Sequence, residues 1–227
     1  MSANAPSFPQ SDRDWRRVLE RTRAWPMVDP FRGLFHEAPR PAAVLVPLLQ
    51  REGQWHLLFI QRAHHDHDPH SGQVSFPGGR HEDADGSFVE TALRETHEEI
   101  GLPPSEVVVW GSLPTVRTAS NYLVFPVVGR VPWPYPFRPA PYEVDHIFTV
   151  PLAWLARPEH LTVQWRHPQG SHPGIPVFYF LPYKGRVIWG ATARIILLLL
   201  AALDALPWEY RRWLMGGTSP PDATRGW

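Results

Sequence analysis

The chain has 227 residues, enough for one domain with a sizeable core. Its 22 basic and 22 acidic residues cancel, so bulk charge supplies neither a nucleic-acid surface nor attraction to an anionic membrane. The absence of cysteine excludes disulfides, a thiol nucleophile and cysteine-ligated zinc, and fits a cytoplasmic protein.

Met1–Ser7 has no basic start and no apolar run, so it does not read as a secretory signal. Residues 1–40 are read as an accessory segment with one short helix, Asp12–Ala24. Its mixture of aromatic and charged residues suits packing on the domain or an oligomer contact. Ala42–Leu49 and Trp55–Arg62 are β-rich and flank Arg51-Glu52-Gly53-Gln54, which predicts a hairpin. His64-His65-Asp66-His67-Asp68-Pro69-His70 concentrates imidazoles without a helical ligand spacing. Proline and polarity make it a loop at a substrate mouth rather than a dedicated metal site, where histidine could touch phosphate.

Gly78-Gly79 begins a turn, an acidic loop follows, and helical periodicity then runs to Gly101. Ser87 with Glu90 three residues on reads as a capping box, and Gly101 as the stop. Phe88, Ala92, Leu93, Thr96 and Ile100 recur at helical steps and form an inward stripe. Glu95, Glu98 and Glu99 are related by i,i+3 and i,i+4, so their like charges converge, a conflict that a divalent cation removes. Carboxylate oxygens suit Mg²⁺ or Mn²⁺, which keep positions open for water and phosphate. Arg94 can fix a neighbouring carboxylate through its rigid fork. A solvated acidic face is the alternative for three glutamates alone.

Downstream, Val107–Trp110 and Tyr122–Val131 read as strands, with Pro126 predicting an edge or bulge in the second. Pro132–Pro139 is a stiff aromatic loop that either covers a ligand or packs on the surface. Glu143 and Asp145 precede a strand ending near Val150, and Pro151–Ala156 is a short helix with proline at its first position. Leu161–Trp165, Pro176–Leu181 and Arg186–Trp189 are further strands, with turns at Gly170–Gly174 and Lys184-Gly185. Ala191–Leu206 is the last major element, and its Ile195–Leu203 run is apolar all round but far short of the roughly 18 residues of a membrane span. It reads as a helix buried in the domain or in a homodimer contact, and 207–227 as a tail.

Arg94-Glu95-Thr96-His97-Glu98-Glu99-Ile100-Gly101-Leu102 resembles the core of the Nudix box, G-x5-E-x7-R-E-U-x-E-E-x-G-U, where U is aliphatic. Thr96 replaces an aliphatic residue, Asp85 stands six residues after Gly79 in place of the first glutamate, and Arg94 comes one residue late. Leu57–Arg62 with Gly72–Gly79, then Glu143–Leu152 and Ile188–Arg194, are similar to segments of the coenzyme A diphosphatase branch. Asp68 stands where that branch usually carries arginine.

The resemblance implies an α/β/α sandwich with a mixed central sheet over residues 41–206. It implies Glu95, Glu98 and Glu99, with the Gly78 carbonyl, as ligands of Mg²⁺ or Mn²⁺, and Arg94 as the support of Glu95. Arg62, His70, Gln73 and Phe76 become the candidate substrate-binding residues. The implied reaction is attack of activated water on a diphosphate, giving 3′,5′-ADP and 4′-phosphopantetheine from coenzyme A. Another nucleoside diphosphate derivative (ADP-ribose, a dinucleotide or a nucleoside triphosphate) and a non-catalytic nucleotide sensor are the alternatives.

Overall fold

The computed structural model describes residues 8–26, 29–66, 70–167, 174–207, 210–211 and 214. Ser11 caps α1 (Asp12–Glu20), its hydroxyl accepting from the Asp14 N–H at 3.2 Å. The chain then forms β1 (Arg40–Arg51) and β2 (Gln54–Arg62), joined by a turn in which Glu52 and Gly53 both take positive φ. Short strands β3 (Val74–Ser75) and β4 (Gly78–Arg80) lead to α2 (Phe88–Ile100). Next come β5 (Val108–Ser112), β6 (Val116–Arg117), β7 (Tyr122–Arg130) and β8 (Val144–Pro151). After a single turn, α3 (Leu152–Leu155), β9 (Leu161–Arg166) and β10 (Ile175–Phe180) form a two-stranded ribbon, and α4 (Gly190–Ala202) is the last long helix.

The eight-stranded sheet runs β3-β2-β1-β7-β5, with β4 added to β1, β6 to β7 and β8 to β2. It is mixed, because β1 and β7 are parallel while β1 pairs antiparallel with β2 and β4. The period-2 alternation of β1 sends its side chains to two different cores. Ala43, Leu45 and Leu49 meet Ala92 and Ile100 of α2 on one face. Val46 and Leu48 meet α4 and α1 on the other, so the helices and sheet make the expected three layers. Among the described residues no helix is long and apolar enough to cross a membrane. Instead α4 is buried on every side from Thr192 to Ala202, by the sheet, the β9–β10 ribbon, Tyr210 and Leu214.

α1 is part of this core. Trp15 is fully buried, stacked on Trp110 with ring centroids 4.8 Å apart and meeting Trp55 edge-on at 5.3 Å. Asp12 fixes the helix start by accepting from the Trp110 indole and from Arg130 in a fork.

Four local expectations are corrected. β7 is an interior strand, bonded to β1, β5 and β6, despite Pro126. The Pro126 carbonyl accepts from the Leu113 N–H at 3.0 Å, and a strand residue aims its nitrogen to the same side as its carbonyl. The missing N–H therefore faces the link between β5 and β6, where the ladder is already interrupted. Arg186–Trp189 is not a strand but makes isolated bridges, Tyr183 to Arg186 and Tyr179 to Trp189. Pro151 ends β8 and caps α3 rather than entering it. Ser87 caps α2 by accepting from the Glu90 N–H, but the Glu90 carboxylate takes the Gly86 N–H, so the box is not reciprocal. The predicted turn at Gly170–Gly174 and the residue Asp68 fall almost wholly or wholly outside the described residues.

Candidate active site

α2 presents its polar edge to β4, and the packing there leaves no room for side chains on two glycines. A Cβ on Gly78, whose φ is +151°, would lie 2.3 Å from the Ala43 carbonyl; one on Gly79 would lie 2.5 Å from the Glu95 carboxylate. The bare backbone lets the Gly78 N–H reach Glu99 Oε2 at 2.8 Å. Gly78, expected to offer its carbonyl to the metal, thus meets Glu99 through its amide.

The three glutamates sit in unequal surroundings. Glu99 is only 2% exposed, and burial pushes its carboxyl up to about 8, against the pull of the Gly78 amide and the positive charge of Arg62. Glu95 is also shifted up by burial, with Arg94 opposing and Glu98 and Glu143 reinforcing the shift. Glu98 is half-exposed and accepts from Arg94 Nη1 at 3.0 Å, the same nitrogen that stands 3.1 Å from Glu95.

Arg94 is held from behind by Asp85. Its Nε and Nη2 reach the two Asp85 oxygens at 2.9 and 3.1 Å, and Nη2 also donates to the Arg80 carbonyl. Asp85, 6% exposed, further accepts from the Thr91 hydroxyl and the Glu82 N–H. These contacts, Arg94 foremost, hold its carboxyl far below the usual carboxylate range. Asp85 therefore stands behind the arginine, where its shorter side chain suffices, and does not join the glutamates. Ahead of α2 the loop turns at Glu82–Asp85, closed by the Asp85 N–H on the Glu82 carbonyl.

Do these residues suit a divalent cation? Two buried or half-buried carboxyls with raised proton affinity mark a place short of positive charge. Their oxygens are the donors that Mg²⁺ and Mn²⁺ favour. Glu143, which raises both carboxyls, adds a fourth acidic group, whereas Asp145 lies among Arg51, Lys184 and Arg186 on another surface. As the side chains stand, no trio of His, Asp or Glu among the described residues is already arranged to hold an ion. The glutamates are turned instead to Arg94 and Gly78. The donor set fits in kind.

A cavity of about 540 Å³ opens on the α4 face of the sheet. Arg62, His70, Gln73 and Phe76 all line it, together with Gly78 and Gly79. None of the three glutamates does, because they lie beyond β4. The two regions are joined by Gly78-Gly79 and by Arg62, which lines the cavity and acts on Glu99. His70 and Gln73 meet each other at 3.1 Å, and His65 and His64 engage Tyr142 and Ser71, so the described imidazoles hold the loop in shape.

Arg117 and Arg194, which also line the cavity, carried no role in the sequence reading. An arginine within an otherwise apolar helix, as Arg194 is in α4, was the available signal.

A mixed α/β fold with a carboxylate-bearing helix behind a double-glycine turn defines a class of hydrolases acting on phosphoanhydride bonds. The family model described as NUDIX domain matches residues 39–171. The NudL proteins of Shigella flexneri and of Escherichia coli O1:K1, named as uncharacterised Nudix hydrolases, are each 40% identical over 171 residues, covering 74% of this chain and 85% of theirs. This chain belongs to the Nudix hydrolase family. A MutT/nudix family protein from Enterococcus faecalis aligns over 92% of this chain and 81% of its own, with TM-score 0.47 and 16% identity. Members of the family act on nucleoside diphosphate derivatives and generally need divalent metal ions.

Proposed function

We propose that this enzyme cleaves the diphosphate of coenzyme A or a coenzyme A derivative, giving 3′,5′-ADP and 4′-phosphopantetheine. One observation carries the reading. Of the three segments similar to the coenzyme A diphosphatase branch, distant in sequence, two supply walls of the cavity and the third supplies an acidic group beside the glutamates, the two regions being joined at Gly78-Gly79 and Arg62. Gln73–Phe76 with Gly78-Gly79, and Trp189–Thr192 with Arg194, line the cavity, and the charge of Glu143 acts on Glu95 and Glu99. The cavity walls are largely apolar (Val44, Val74, Phe76, Val124, Phe178 and Ile195), which suits an uncharged pantetheine arm, while arginines receive phosphates.

In this reading Glu95, Glu98 and Glu99 hold Mg²⁺ or Mn²⁺, which supplies charge neutralisation and activation of the attacking water. Arg94, braced by Asp85, fixes the directions of Glu95 and Glu98. Where Glu95 is not itself a ligand it is the group to accept the proton of that water, and Glu143, whose charge acts on it, is an acidic alternative. Arg62, His70 and Gln73 position the diphosphate at the cavity's Gly78 end, with Phe76 against the arm. The catalytic unit runs past residue 171 into α4 and takes in α1, since both share its core.

The second reading is another nucleoside diphosphate derivative, favoured by Asp68 in place of arginine. A panel of coenzyme A, ADP-ribose, diadenosine tetraphosphate and nucleoside triphosphates with Mg²⁺ separates them. Coenzyme A is expected to have the highest kcat/KM, by about tenfold or more. A higher value for any other member would replace this reading.

A further inference from the structure

The sheet has an edge whose outward backbone groups are unpaired. Among the described residues β8 pairs with β2 alone. Which of its groups face outward follows from the hairpin. Arg51 and Gln54 flank a two-residue turn, so Gln54 and His56 bond to β1, while the alternate residues Leu57 and Phe59 turn to β8. The Ala63 N–H on the Glu143 carbonyl keeps the same parity. Leu57 and Phe59 stand opposite Val150 and Phe148, so the N–H and C=O of Ile147 and Thr149 point away from the sheet.

This edge lines a second cavity, of about 580 Å³, with every residue from Asp145 to Thr149. Successive side chains of a strand point to opposite faces, so a hollow that touches all of them runs along the edge itself. On the α2 face its wall is the proline-rich loop with Trp133, Tyr135 and Phe137. On the other face it is the turn that carries Lys184 and Arg186, the latter 4.9 Å over the Phe148 ring.

The groove carries positive charge. Arg51 lies over Trp133 and is met by Glu52 at 3.4 Å, but no carboxylate among the described residues pairs with Lys184 or Arg186. Asp145 and Glu52 against Arg51, Lys184 and Arg186 leave a net positive surface. Such charges commonly guard an edge against a second copy of the same chain. Pairing of two β8 edges would bring the two basic walls together, which like charge disfavours. An acidic strand meets no such barrier.

We propose that the outer edge of β8 docks an extended acidic segment of another protein, which adds as a further strand. Its backbone takes the outward N–H and C=O groups of Ile147 and Thr149. Its side chains alternate, apolar towards Trp133, Tyr135 and Phe137 and acidic towards Lys184 and Arg186. The groove shares no lining residue with the 540 Å³ cavity, so the proposal does not rest on any reading of the substrate.

The test is fluorescence anisotropy of a short labelled peptide alternating valine and glutamate, titrated with the full chain. Saturable binding is expected, weakened about tenfold when lysine replaces the peptide's glutamates or when its pairing amides are N-methylated. Thr149→Pro removes an outward N–H and no hydrogen bond to β2, although it also loses the hydroxyl's contact with His56. It should weaken binding about tenfold and Lys184→Glu about fivefold, both with unchanged hydrolysis. Absence of saturable binding at about 1 mM, or equal binding of the lysine or N-methylated peptide, overturns the proposal. So does a parent dimer, seen by sedimentation, that dissociates in Thr149→Pro while no peptide binds; the edge would then belong to a second copy. Melting curves establish folding, and the N-methylated peptide with Lys184→Glu decides the matter if Thr149→Pro does not fold.

Discussion

Glu99→Gln is expected to lower turnover by at least about 100-fold, while the metal-free protein becomes as stable as the parent or more so. Glu99 is almost wholly buried, held by one amide and the field of Arg62, with Glu95 and Glu143 repelling its charge. Its carboxyl is raised to about 8 from an ordinary 4.5, so the folded state binds its proton more tightly than the unfolded chain. The stability it contributes is present below the unfolded value and is lost as pH rises toward 8. Glutamine does not titrate, so its advantage in melting temperature should grow across that window in chelator-treated protein. The rise in melting temperature that Mg²⁺ gives the parent should shrink in the variant, because mass action requires binding to the native state. Unaltered turnover in a folded Glu99→Gln would remove this glutamate from the site.

Asp85→Asn is expected to reduce turnover by about 10- to 100-fold although Asp85 stands away from the glutamate cluster. Asp85 receives Arg94 in a fork, and Arg94 in turn holds Glu95 and Glu98 through one nitrogen. Without the fork the guanidinium can rotate, and both carboxylates lose their direction. Loss of charge-assisted hydrogen bonds at a buried carboxylate costs about 1–3 kcal/mol of stability near neutral pH. The sign in acid is opposite to that of Glu99. Asp85's carboxyl is depressed by its contacts, so its contribution is complete above the unfolded value and is lost as pH falls through the folded one. Denaturant titrations at pH 7 and in acid below about pH 4 should show the stability gap between parent and variant closing. A gap of equal size at both would mean that the ion pair is not its source.

The box helix was legible in the sequence because cap, periodicity and stop agree over Ser87–Gly101. The hairpin of β1 and β2 was legible for the same reason. Pro126 misled because the rule for strand proline concerns which side its nitrogen faces, and that depends on neighbours far along the chain. Trp15 was placed in an accessory segment since nothing local tells that its ring will stack on Trp110, 95 positions away. Within the site, Arg94, Glu95, Glu98 and Glu99 follow from spacing on one helix. The unequal burial of the glutamates does not, because it is set by β4 and the chain around Glu143. The Arg117–Asp29 pair could not be read from sequence, since the two positions are 88 apart and Asp29 lies in no regular element.

The measurement that bears most directly on the whole account is product analysis. Coenzyme A is incubated with Mg²⁺ or Mn²⁺ and either the parent or Glu98→Gln, and the nucleotides are separated and weighed by mass spectrometry. The account predicts equimolar 3′,5′-ADP and 4′-phosphopantetheine from the parent, with only traces from the variant. Intact coenzyme A, or equal product from both proteins, would contradict it.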